Sequence, residues 1–319
     1  MLTLIFIIYI LIIIFLTLKM GLFYLKNIPS DDLKKKIEYE RYNQNFLTKF
    51  SYSLLPIRYL SGLSDIIYGD SIFYTKINKK IVSLTIDDFP TNDKNINNKI
   101  LDILKEKNIK ASLFVIGDFI NSSTEDCQKD VLIRALKEGH ELGNHMYLDA
   151  NYHNINNEDI KNDFDKTENI IDGIYQDAKK ERIPLFRAPK SPFGMNNYLY
   201  ELIKEKNMKY IIGDIYSNDY DRSFRKDALF HINYVKKKIK NGSIIIFHAS
   251  KNKEIYENLL EVIQNLPNDY EYITVGELLK ISKPQDRILR IFKSLFIVFL
   301  LLVLILFPII HIYNKNKNK

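Results

Sequence analysis

A parallel α/β barrel is the fold this chain predicts, on three observations. Short β-branched runs alternate with helical segments between residues 81 and 281. About seven such strand–helix units follow one another, and none carries the glycine-rich loop of a dinucleotide-binding turn. Alternation of this kind argues a parallel sheet covered by helices, and without a phosphate loop it favours a barrel over an open sheet.

The elements follow in order. Ile81 to Ile86 is a β-branched run, and Ile96, Ile100, Ile103 and Leu104 then recur at helical spacing. Ala111 to Ile116 reads as a strand, and Val131, Leu132, Ala135 and Leu136 as a helix face ended by Gly139. A short strand follows at His140 to Gly143, then a long helix marked by Ile160, Phe164, Ile171 and Ile174. Pro184 leads a strand at Leu185 and Phe186, followed by a helix through Leu199, Leu202 and Ile203. Tyr210 to Ile212 is a strand with a helix from Phe230 to Ile239 behind it. Ser243 to Phe247 is a strand before a helix from Ile255 to Ile263. Tyr272 to Val275 closes the series, with a helix from Glu277 to Ile281.

Chemistry in parallel barrels gathers where strands end. The first strand ends in Asp87 and Asp88, and the third runs into His145 and Asp149. The fourth ends in Arg187, the fifth in Asp214 and Asp219, and the sixth in His248. One rim thus collects carboxylates, two histidines and an arginine, the inventory of a metal-assisted hydrolase.

Composition narrows the class. With 11 Gly, 9 Pro, 1 Cys and 13% aromatics, collagen-like, disulfide-framework and wholly disordered chains are excluded. The net charge of +7 comes from lysines spread along the chain, and no nucleic-acid-binding module is recognisable. Two stretches lack charge: Met1 to Leu18, and Ser294 to Tyr313 between Lys293 and Lys315. About 20 apolar residues cross a bilayer core. The expectation is an integral membrane protein with two terminal spans, lipid around them and the domain lumenal or extracellular. The first span reads as an uncleaved anchor, because it lacks a positive n-region and a small-residue cleavage site. The expected segments are an anchor at 1–25, a stalk at 26–80 and the main domain at 81–283. A basic linker at 284–293, a second span at 294–313 and a basic tail at 314–319 complete the chain.

Thr85-Ile86-Asp87-Asp88-Phe89-Pro90 resembles the Thr-Phe-Asp-Asp-Gly-Pro motif of polysaccharide deacetylases, the NodB-homology or carbohydrate esterase 4 family. Gly139 to His145 is similar to the second motif, Phe186-Arg187-Ala188-Pro189 to the third, and Ser217-Asn218-Asp219-Tyr220 to the fourth. Ile244 to His248 resembles the fifth, and the order is that of the family. The resemblance implies a distorted (β/α)7-type barrel. It implies a membrane-tethered, metal-dependent hydrolase that removes N-acetyl groups from a GlcNAc-containing polysaccharide or oligosaccharide, chitin-like in the first place.

The same resemblance assigns roles. Asp87 would be the general base, and Arg187 would keep it ionised. Asp88, His145 and Asp149 would hold a divalent metal, zinc in the first place, with harder ions such as Mn2+ or Co2+ as alternatives. The backbone N–H of Lys190 would help hold an oxyanion, and His248 would protonate the leaving amine. Asp214, Asp219 and Tyr220 would complete the substrate pocket. Asp149 stands where the family usually has a second histidine, as in a subgroup that carries Asp there, and His153 is a substitute ligand. Phe89 replaces a glycine, and Ala249 replaces an acidic residue. These departures sustain a second reading: a NodB-fold membrane protein that binds glycan or wall without catalysis. The expected partners are the N-acetylated polymer and lipid, with no nucleic acid and no protein partner.

Overall fold

The computed structural model describes residue 61 and residues 71–121, 128–190, 195–220, 227–283 and 286–317. Eight strands form one sheet: β1 (Ile81–Phe89), β2 (Ala111–Val115), β3 (Glu141–Asn144), β4 (Leu185–Phe186), β5 (Lys209–Tyr210), β6 (Ile215–Tyr216), β7 (Ile244–His248) and β8 (Glu271–Tyr272). The helices between them are α1 (Lys94–Glu106), α2 (Asp118–Asn121), α3 (Lys129–Lys137), α4 (Asn157–Ala178), α5 (Asn197–Glu205), α6 (Ala228–Lys238) and α7 (Lys253–Gln264). After β8 come α8 (Val275–Ile281) and α9 (Arg287–Lys317).

The strands run in the order β5-β4-β3-β2-β1-β7-β6, with β8 paired to the start of β1. Every strand pair is parallel, as strand–helix alternation demands. Among the described residues β5 and β6 are not paired, so the sheet is a curled half-barrel, a more open form of the distorted (β/α)7-type barrel expected. The cause is local: β4, β5, β6 and β8 have two residues each, too few to carry closure.

Period-two alternation sorts the central strands. Val82, Leu84 and Ile86 of β1, Leu113 and Val115 of β2, and Ile245 and Phe247 of β7 face a core shared with α1, α3, α4, α6 and α7. The residues between them turn to the concave side. There Phe114, Leu185, Ile211 and Ile244 pack with Val275 and Leu278 of α8, which plugs the end of the half-barrel away from the rim. Fully burying one such side chain is worth about 1.5–3 kcal/mol, so these layers fix the register that aims the polar residues.

The helix starts obey capping rules. Asp93, Asn156, Asn196, Asp227 and Asn252 each accept a backbone N–H from the first turn behind them. Thr274 and Glu277 form a reciprocal capping box on α8.

Residues 71–76 join the domain by backbone pairing. Ile72 accepts the N–H of Ile212 and donates to Tyr210, both at 2.8 Å, along the outer edge of β5. Thr75 donates to Gly242 at 2.9 Å, and Tyr74 pairs antiparallel with Ser243, just before β7. Gly242 sits at φ 73°, and a Cβ there would lie 2.2 Å from the Thr75 carbonyl oxygen. Only glycine meets both demands.

The integral-membrane placement expected from the charge-free stretches is overturned. Among the described residues no helix is long and apolar enough to cross a membrane. The first expected span lies outside the described residues. The second falls in α9, which begins at Arg287, so Arg287, Arg290 and Lys293 occupy its first turns and do not form a separate linker. Arg290 and Ser294 are buried there, and the Arg290 Nη1 donates to the Ser71 carbonyl at 3.1 Å.

Candidate active site

β1 and β7 set the centre of the site. They pair in register, with Asp87 opposite His248, and alternation turns both side chains inward. The His248 Nε2 lies 3.9 Å from an Asp87 carboxylate oxygen. Alternation alone would send the next residue, Asp88, into the core. A left-handed φ of 58° at Asp88 prevents this, and its carboxylate comes within 3.6 Å of the His145 Nε2.

Among the described residues, the seven left-handed non-glycine residues divide cleanly. Asn108, Lys179 and Asn207 lie just past the ends of α1, α4 and α5; Asp88, Met146, Lys190 and Asn218 all lie on the rim. Such conformations cost of order 1–3 kcal/mol each, so the rim is where the fold holds its strained backbone.

Arg187 follows β4 and is 1% exposed. Its Nη1 donates to Asp87 and, at 2.8 Å, to the Thr85 hydroxyl, while its Nε donates to the Ile211 carbonyl at 3.1 Å. The guanidinium also stands 4.1 Å over the Phe114 ring. Burial works against charge on Asp87, but Arg187, then His145 and His248, outweigh it and hold the carboxyl below the usual carboxylate range. Burial also opposes charge on His248, yet Asp219, with help from Asp87 and Asp88, pushes it up to about 9. Asp219 accepts from the His248 backbone N–H at 2.8 Å and meets its Nδ1 at 3.0 Å. Tyr216 and Tyr220 flank the imidazole, with ring centroids 5.6 and 5.5 Å away.

The remaining expected residues divide. The Nδ1 of His145 lies 2.7 Å from the Arg187 carbonyl, which leaves Nε2 facing Asp88. Burial lowers the His145 pKa and favours the neutral ring. Burial, then the Asp149 charge, pushes Asp88 up to about 7. Asp149 is held by the Lys190 ammonium at 2.7 Å. Lys190 was expected to act through its backbone; its side chain is the finding. Asp214 is not part of the rim. It accepts the Ile244 N–H at 2.8 Å and the Ser243 hydroxyl at 3.3 Å, at the start of β7, the opposite end from His248. Phe89 and Ala249 belong to the core. His140 accepts the Ala111 N–H at 3.0 Å, and burial brings it down to about 4. His231 meets the Ser217 hydroxyl at 2.9 Å.

Asp88 and His145 suit a divalent ion, with a carboxylate facing an imidazole nitrogen whose other nitrogen is anchored. The third expected ligand does not, because Asp149 is already neutralised by an ammonium. Among the described residues no three His, Cys, Asp or Glu side chains are arranged to hold an ion. The side chain of His153 lies outside the described set. The expected zinc triad is therefore not assembled in this arrangement.

A sequence profile of the polysaccharide deacetylase family matches residues 75–211. The chain carries a polysaccharide deacetylase domain of the carbohydrate esterase 4, NodB-homology type. The deacetylase domain is 30% identical over 207 residues to a bifunctional xylanase/deacetylase of Pseudobutyrivibrio xylanivorans, covering 64% of this chain and 31% of that one. The chain thus spans under a third of that relative's length. It is 27% identical over 206 residues to a peptidoglycan-N-acetylglucosamine deacetylase of Bacillus cereus, covering 64% of this chain and 90% of the relative. Among solved structures, the deacetylase domain is similar to a carbohydrate esterase 4 pseudoenzyme of Bacillus anthracis, in a mutant with restored activity. That match has 25% identity and a TM-score of 0.54, covering 66% of this chain and 71% of the other.

Proposed function

We propose that the domain hydrolyses the N-acetyl group of GlcNAc units in a polymer of the peptidoglycan or chitin kind. One observation carries the reading: an ionised carboxylate and a protonated imidazole held 3.9 Å apart on adjacent strands. Amide hydrolysis needs a proton taken from water and a proton given to the amine. Asp87 takes the water proton as oxygen bonds to the acetyl carbon. In this reading the Lys190 backbone N–H donates to the oxyanion that forms. His248 delivers its proton to nitrogen as the carbon–nitrogen bond breaks, leaving acetate and a free amine. Arg187 keeps Asp87 charged until it takes that proton, and Asp219 orients His248 through Nδ1.

Release of acetate from chitin oligomers and from peptidoglycan fragments tests this, with the full chain. Asp87→Asn should cut release about a hundredfold or more without altering the fold. A second reading, glycan binding without turnover, is favoured by the Lys190–Asp149 pair, which occupies an expected ligand. That reading predicts no acetate from either polymer and binding that survives Asp87→Asn.

A further inference from the structure

Asn144 ends β3, one position before His145, and its side chain is fully buried. A buried amide must be satisfied, and this one is satisfied in a single orientation. Its Oδ1 accepts the Met146 N–H at 2.6 Å. Its Nδ2 donates to the Glu168 carboxylate at 2.9 Å and to the Phe164 carbonyl at 3.3 Å, both on α4. An ionised carboxylate and a carbonyl only accept, and an N–H only donates, so the partners decide which amide atom lies where. Glu168 is itself fixed, because Arg182 donates to it at 2.7 Å.

Two strands of the site meet at this residue. The Oδ1 contact reaches two residues along the chain and closes a turn over His145. Met146 in that turn has a left-handed φ of 66°, a conformation that persists only where its surroundings hold it. The Asn144 carbonyl accepts the Arg187 N–H at 3.0 Å. The Arg187 carbonyl in turn meets the His145 Nδ1 at 2.7 Å. A carbonyl only accepts, so this contact puts the proton of the neutral ring on Nδ1 and leaves the Nε2 lone pair toward Asp88. The same Nε2 lies 4.0 Å from an Asp87 carboxylate oxygen, so a ring that turned would change what the base faces. Asn144 thus holds both the backbone that carries the imidazole and the backbone that orients it.

We propose that Asn144 is a positioning residue: Glu168 fixes its amide, the amide fixes the turn at Met146, and the turn fixes the direction and tautomer of His145. Asn144 itself touches no reacting atom. Its effect on turnover rests on the hydrolytic reading given above; its effect on the His145 ring does not.

NMR of the imidazole nitrogens in the histidine-labelled full chain tests the assignment, with the His145 signals identified by their loss in His145→Gln. The wild type should show Nδ1 protonated and Nε2 bare. Asn144→Asp sets a carboxylate against Glu168 and should give a mixture of the two tautomers. It should also lower kcat for acetate release from chitin oligomers at least tenfold, with KM within twofold. Glu168→Gln added to Asn144→Asp supplies an amide donor from α4. It should restore the single tautomer and recover kcat at least threefold. Should Asn144→Asp fail to fold, Glu168→Ala removes only the acceptor and should give the same mixture with a several-fold loss of kcat. An unaltered His145 ring in the folded variant would overturn the proposal, whatever its stability. Absence of rescue by Glu168→Gln would overturn the part given to Glu168. Absence of acetate from the wild type would remove the hydrolytic reading alone, and the ring signals would still decide the role of Asn144.

Discussion

Asp87 and His248 share one buried neighbourhood yet lean to opposite protonation states, because each is decided by a different partner. Arg187 holds Asp87 ionised, and Asp219 holds His248 protonated up to about 9. Turnover should therefore persist well above neutrality and fall as pH passes about 9. Asp219→Asn removes the largest support and should bring the alkaline limb down toward the ordinary histidine value of about 6.5. An NMR titration of the His248 ring checks this even if turnover is absent. The folded pKa is raised, so the interaction stabilises the fold fully below about 6.5 and is lost as pH rises through about 9. Urea unfolding from pH 6 to 10 should show that loss in the wild type and less of it in Asp219→Asn. Lys190 permits a second test. Lys190→Ala frees Asp149 from its ammonium while leaving the backbone N–H, so zinc affinity should rise, about tenfold or more. Equilibrium dialysis with zinc against the wild type measures it. Much of the rim was legible because Asp87, His145, Arg187 and His248 each end or follow a strand. Asp214 was misleading for a physical reason: a carboxylate between short strands can serve backbone N–H groups at the other end. The Lys190 side chain gave no signal, since its partner is 41 residues away.

At the scale of elements, long amphipathic helices were readable, and of the two-residue strands β4, β5 and β8 were readable to within a few residues while β6 was not. The helices α1, α4 and α7 bury faces at the spacing visible in the sequence. β6, Ile215–Tyr216, escaped because no apolar run surrounds it and Gly213 precedes it at φ 90°. The helix α8 is small but has a large role, because it plugs the half-barrel and its Gly276 N–H donates to the buried Glu141 at 2.8 Å. Its capping box should matter accordingly. Thr274→Ala should destabilise the protein by about 1 kcal/mol, within the 0.5–2 kcal/mol range of N-cap losses. Urea denaturation at neutral pH reads this directly.

For the whole molecule, strand–helix alternation foretold a parallel sheet, while closure depended on strand lengths that alternation does not report. The terminal reading failed for a related reason. Hydropathy separated Arg287–Lys293 from the apolar residues behind them, but one helix, α9, takes in both and starts buried against residue 71. Residues 71–76 carry a further consequence. An open sheet offers unpaired N–H and carbonyl groups along its last strand, a template for joining another chain. Ile72 occupies those groups on β5, and Tyr74 carries the cover across to Ser243. A chain shortened to begin at Ile77 should thus keep its helices by circular dichroism yet self-associate through the bared strand. Light scattering at rising concentration should show oligomers that the full chain does not form, and a monodisperse shortened chain would mean that this segment does not shield the sheet.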